Sequence, residues 1–100
     1  MIRNRQPSTQ MKQVLAALAE QSAEWRHGYD LMKQTGLSSG TLYPLLMRMT
    51  DKGLVEADWH APAVPGRPSR HVYRLTGAGA ALARDVAHQD MAVRAKGALA

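Results

Sequence analysis

Leu42, Leu45, Leu46 and Met49 fall at i, i+3, i+4 and i+7, and the segment carrying them, Gly36 to Val55, constrains the fold more than any other. That spacing draws one apolar stripe along one side of a helix. Gly36 ahead of it and Gly53 behind it mark a turn and a stop, and Val55 opens a strand. The opposite side carries Gly40, Pro44 and Met47, flanked by Thr41, Tyr43 and Arg48. A helix packed firmly behind, with small, hydroxyl-bearing and cationic residues in front, suits a DNA major groove. Reading DNA is the first function this pattern raises.

The same periodicity recurs upstream. Met11, Val14, Leu15 and Leu18 predict a first helix that Ser8 or Thr9 caps after Pro7 and that runs to about Gln21. Ser22 to His27 is expected as a loop, with Trp25 plugging the core. Gly28 opens a short second helix through about Gln34, with Tyr29, Leu31 and Met32 available for packing and Gly36 as its C′ residue. The third helix follows from Ser38 or Ser39. Pro44 conflicts with that start, because a helix from Ser38 would lose a hydrogen bond and crowd the Gly40 carbonyl. A helix that becomes regular only at Thr41 would hold Pro44 in its first turn at little cost. A tight, irregular first turn is the expectation.

Val55, Ala57 and Trp59 alternate with Glu56, Asp58 and His60, as in a half-buried strand. Ala61 to Ser69 carries three prolines and is a loop. From Arg70 to Leu75 the alternation returns, with His71, Tyr73 and Leu75 on one face. Thr76 then caps an alanine-rich helix reaching the mid-90s. Three helices, a hairpin and one more helix give an α+β chain, mostly α: a winged helix-turn-helix with a two-stranded wing plus a C-terminal dimerisation helix. The parts are a basic N-terminal arm at 1–8, a winged-helix DNA-binding domain at 9–75 and the dimerisation helix at 76–100.

Charge agrees with that reading. Thirteen Lys and Arg against eight Asp and Glu give a formal +5, and a pI near 10.1 points to a polyanionic partner, nucleic acid before membrane. With no cysteine, disulfides, thiolate metal sites and a Cys nucleophile are excluded. No apolar run approaches the roughly 20 residues that span a bilayer, and Met1 to Pro7 lacks the apolar stretch of a secretory signal. A soluble, cytoplasmic protein is expected.

Arg26-His-Gly-Tyr-Asp-Leu31, Leu37-Ser-Ser-Gly-Thr-Leu-Tyr-Pro-Leu-Leu46 and Lys52-Gly-Leu-Val-Glu56 together resemble the PadR family of bacterial transcriptional regulators. Gly66-Arg-Pro-Ser-Arg-His-Val-Tyr-Arg-Leu-Thr-Gly-Ala-Gly79 is similar to that family's wing, and the likeness covers roughly residues 11–82. The resemblance implies a homodimeric repressor with a winged-helix domain and a C-terminal dimerisation helix. It also implies, as in some members, a small-molecule effector that binds near the dimer interface and releases DNA. The match is to the short subgroup with a single C-terminal helix. Some short members stack planar ligands on a tryptophan of that helix, but residues 76–100 contain no aromatic residue.

On this frame the DNA-binding candidates are Ser38, Ser39, Thr41, Tyr43, Pro44 and Arg48 on the third helix, with Arg67, Arg70 and His71 on the wing. Ser38 or Ser39 could instead only cap the helix, and Tyr43 could pack inward. Arg3, Arg5 and Lys12 would add phosphate contacts. Near heptad spacing, Gly79, Leu82, Val86, Gln89 and Val93 form the dimerisation stripe. Folding back onto its own domain is the alternative for that helix.

No cofactor, metal or catalytic centre is expected. His27, His60, His71 and His88 lie far apart with no ligand spacing. Gly77-Ala-Gly79 lacks the third glycine and the βαβ unit of a nucleotide loop. The other functional class left open is a winged helix used only for protein interaction, which would show an exposed apolar patch in place of the cationic wing.

Overall fold

In a computed structural model, residues 7–62 and 64–99 are described, with side chains through Met91. The elements are α1 (Thr9–Ala19), β1 (Arg26–His27), α2 (Gly28–Thr35), α3 (Ser39–Asp51), β2 (Val55–His60), β3 (Arg70–Leu75) and α4 (Gly77–Leu99). Ser8 caps α1, its Oγ accepting the Met11 N–H at 3.1 Å. Val14, Leu15 and Leu18 of α1 meet Leu31 of α2, the Leu42, Leu45, Leu46 and Met49 stripe of α3, and Val55, Tyr73 and Leu75 of the strands. Both helical stripes read from the sequence are core, with Met11 half-buried at the margin.

Gly36 and Gly53 bracket α3 with φ of 77° and 75°. An L side chain rarely takes that conformation, so glycine at these two corners lets the chain reverse without strain. The Gly36 N–H reaches the Met32 carbonyl at 2.8 Å, and the Leu54 N–H reaches the Met49 carbonyl at 2.9 Å. Thr76 caps α4, as its position suggested. Its Oγ1 donates to the Gly53 carbonyl at 2.6 Å and accepts the Gly79 N–H at 3.0 Å.

The first turn of α3 is tight. Thr41 and Leu42 N–H groups share the Ser38 carbonyl at 3.1 and 2.8 Å, a bifurcated arrangement common where a helix starts. Even so the helix begins at Ser39, and Pro44 lies inside it rather than in its first turn. Pro44 is exposed, so the carbonyl it cannot bond faces the solvent side.

Among the described residues the sheet has three antiparallel strands in the order β1-β3-β2. The expected hairpin pairs Val55 with Leu75 through His60 with Arg70, and β1 adds Arg26 opposite Tyr73 and His27 opposite Val72. β1 is a two-residue strand, too short to leave any alternation in the sequence. Trp25 does not plug the core. It is half-buried on the far face of the sheet, edge-on to His60 at 5.3 Å, with the Arg74 guanidinium 4.2 Å from its ring centre. Tyr29 is 64% exposed and Trp59 63% exposed, both outside the core. Of the expected inward face of β2 only Val55 is buried, because the distal hairpin runs out past the helices.

Candidate nucleic-acid interface

The front of α3 is open. Ser38, Ser39, Gly40, Pro44, Met47 and Arg48 are exposed and Thr41 is half-buried. Ser38 sits at the N-cap but its side chain caps nothing; its hydroxyl donates to Thr41 Oγ1 at 3.3 Å. The two hydroxyls therefore form a small polar cluster at the start of the helix. Arg48 lies seven residues beyond Thr41, two turns along the same side. It makes no ion pair among the described residues.

Tyr43 is 37% exposed and lies across the start of α2. A β-carbon on residue 28 would fall 2.7 and 2.8 Å from Tyr43 Cε1 and Cζ, so the ring lies flat where only glycine leaves space. One edge of the phenol is thus held by the protein while the other meets solvent.

The wing's arginines divide. Arg67 and Arg70 are exposed, whereas Arg74 is engaged with Trp25 and with Glu56 Oε1 at 3.3 Å. Arg26 is also engaged internally. Its Nη1 donates to the Ala17 carbonyl at 3.0 Å and its Nη2 to Gln34 Oε1 at 2.5 Å, tying α1 to α2. Arg70 and His71 line a cleft of about 340 Å³ with His27, Gly28, Tyr29 and Tyr43. The cleft brings the wing beside α3. Tyr29 and His27 were not among the DNA-binding candidates, although both lie in the Arg26 to Leu31 motif that carries the resemblance.

His71 is placed at the wing's edge but is tied into the protein. Its ring stacks on Trp59 with centroids 4.3 Å apart and planes within 5°. Its Nδ1 pairs with the Tyr73 hydroxyl at 3.0 Å. Burial pushes the Tyr73 pKa above the usual tyrosine value, and the neighbouring Tyr43 phenol adds to the rise. One ring face and one nitrogen of His71 are therefore unavailable to DNA.

On α4 part of the stripe expected to face a partner, Gly79 and Val86, is instead covered within the chain. Gly79 is buried, and a β-carbon there would collide with the Leu54 carbonyl oxygen and lie 3.0 Å from Leu75 Cδ2. Val86, 6% exposed, belongs to the core with Ala83. Leu82 is half-buried against that core, Gln89 is exposed, and the Val93 side chain lies outside the described residues. The first half of α4 thus folds back on α1, where Lys12 Nζ meets Asp90 Oδ1 at 3.4 Å. Beside that pair Ala16 and Ala19 of α1, with Ala87 and the 65% exposed Met91 of α4, border an open groove of about 450 Å³. Arg3 and Arg5 lie outside the described residues.

The sequence model of the transcriptional regulator PadR-like family matches residues 14–85. The chain belongs to the PadR-like family. It is a DNA-binding transcriptional regulator, and the family is one of regulators rather than enzymes.

Solved structures agree on the fold. A PadR-like transcription factor from Bacteroides fragilis is 24% identical, with a TM-score of 0.68 over 90% of this chain and 88% of its own. BpsR from Bordetella bronchiseptica, whose DNA binding is regulated by 6-hydroxynicotinic acid, is 21% identical, with a TM-score of 0.75 over 95% of this chain and 67% of its own. A MarR family regulator from Silicibacter pomeroyi is 24% identical, with a TM-score of 0.68 over 89% of this chain; the match spans 58% of that larger protein. At these identities the likeness carries the fold alone. No curated protein matches the chain in sequence. Among the described residues no helix is long and apolar enough to cross a membrane, and no three His, Asp or Glu side chains gather as a metal site.

Proposed function

We propose that this PadR-like chain is a repressor that binds a palindromic operator as a homodimer and is released from it by a small ligand. The observation that carries the reading is the open face of α3, Ser38 to Arg48, set beside a wing whose Arg67 and Arg70 point to solvent. Ser38, Ser39 and Thr41 supply hydroxyls for base edges or phosphates. Tyr43 and Pro44 supply apolar contact with sugars or thymine methyls, and Arg48, Arg67 and Arg70 supply charge. A second copy would seat on the apolar groove between α1 and α4, where Ala16, Ala19, Ala87 and Met91 allow close helix approach. Two-fold pairing sets two recognition helices about one DNA turn apart, hence a palindromic site. Release by a ligand is supported by the likeness in fold to BpsR.

The test is fluorescence anisotropy with a duplex from the region upstream of the chain's own coding sequence, against a scrambled duplex, at two salt concentrations. Selective binding at two chains per duplex, falling steeply with salt, is the expected result. Equal weak binding to both duplexes would favour a winged helix serving protein interaction instead.

A further inference from the structure

Three rings run in sequence from the outer strand of the wing to the core, and a fourth, on α3, lies across the cleft beside them. Trp59 of β2 stacks on its cross-strand partner His71 at 4.3 Å. His71 lies 4.8 Å from the Tyr73 ring and pairs with its hydroxyl at 3.0 Å. Tyr73 is 4% exposed, so its hydroxyl needs a partner inside the protein, and His71 is that partner. Tyr43 of α3, whose ring is seated on Gly28, lines the same cleft as His71. Trp59 itself buries little and is 63% exposed; stacking on His71 is its one aromatic contact among the described residues.

We propose that Trp59 and His71 are positioning residues for DNA recognition, fixing the angle of the wing against α3 through buried Tyr73 and across the cleft that His71 shares with Tyr43. Arg70 precedes His71 directly and pairs across the hairpin with His60, next to the Trp59–His71 pair. The stack therefore sets where the Arg70 and Arg67 charges stand relative to Thr41. Without it the distal hairpin pivots about its buried base at Val55 and Leu75. The wing then loses its pre-set orientation and binding must restore it. This inference rests on α3 and the wing reading DNA.

Trp59→Ala, His71→Ala and the double variant would be titrated against the upstream duplex at several salt concentrations. Each single change is expected to weaken binding about three- to tenfold, the range of one aromatic pair. The salt slope should stay unchanged, because no phosphate contact is lost. The double variant should bind no more weakly than either single one, since both break the same link. Trp59→Phe should restore most of the affinity, and Tyr73→Phe, which keeps the packing but cuts the hydrogen bond, should weaken binding with the slope intact.

Additive losses would show two separate DNA contacts and overturn the proposal. A slope lowered by about 0.9 in His71→Ala would make that residue a phosphate ligand instead and overturn it equally. Wild-type affinity in Trp59→Ala would also overturn it. Failure of the unaltered protein to bind any duplex would remove the DNA reading itself, a result distinct from the other three.

Discussion

The Tyr43 ring occupies the space a side chain at residue 28 would need, with Cε1 and Cζ 2.7 and 2.8 Å from where a β-carbon would sit. One glycine thereby decides how Tyr43 of α3 is presented. Gly28→Ala should push the ring off α2 and cost about 1–3 kcal/mol, as overpacking does. It should also weaken duplex binding. The coupling is checkable: in a Tyr43→Ala background the same substitution should be close to neutral in thermal melts. Equal cost in both backgrounds would mean that the contact is not what glycine serves.

Gly79 tests how α4 is anchored. A β-carbon there would run into the Leu54 carbonyl oxygen, which is backbone and cannot step aside. Gly79→Ala is expected to lower the melting temperature by about 10 °C or more. The drop should be the same at low and high protein concentration, because the clash lies within one chain. A drop that grew with dilution would return Gly79 to a partner interface.

Arg26 and Arg70 should behave as opposites. Arg26→Gln removes hydrogen bonds to Ala17 and Gln34 that hold α1 to α2, so stability should fall by about 1.5–3 kcal/mol. Its effect on the salt dependence of DNA binding should be nil. Arg70→Gln should leave the melting temperature within about 0.5 kcal/mol equivalent, as exposed sites do. It should lower the salt slope by about 0.9 if it neutralises one phosphate. Titrations at graded salt, paired with melts, separate the two.

Tyr73 makes the fold sensitive to alkali. Its folded pKa lies above the ordinary tyrosine value of 10.0, first by burial and then through Tyr43. Below pH 10 it is protonated both folded and unfolded, and its contribution is fully present. Above that value the unfolded chain releases the proton more readily, so stability falls as pH rises through the folded pKa. Melting temperatures measured from about pH 8 to 11 should decline at the top of the range. Tyr73→Phe should flatten that decline, and an unchanged decline would place the titration elsewhere.

The helices were legible because their signals are local. Leu42 to Met49 shows its buried face through spacing alone, and Gly36 and Thr76 announce a stop and a start by what their own chemistry allows. The hairpin could be read for the same reason, from alternation at Val55 to His60 and Arg70 to Leu75. β1 could not, since two residues carry no period. Trp25, Trp59 and Tyr29 look like core residues in composition. Their exposure follows from lying at the edges of the sheet and helices, where the domain ends.

By itself the sequence determined the order of elements, the apolar faces and the residues offered on the front of α3, because each depends on neighbours within a turn or a strand. Tertiary structure alone decided which like residues do which work. Arg26 and Arg74 hold the scaffold while Arg67 and Arg70 stay exposed, and only the arrival of Ala17, Gln34, Trp25 and Glu56 makes the difference. Gly79 and Val86 turned inward for the same reason. A long-range contact depends on where distant segments meet, and no local pattern records that.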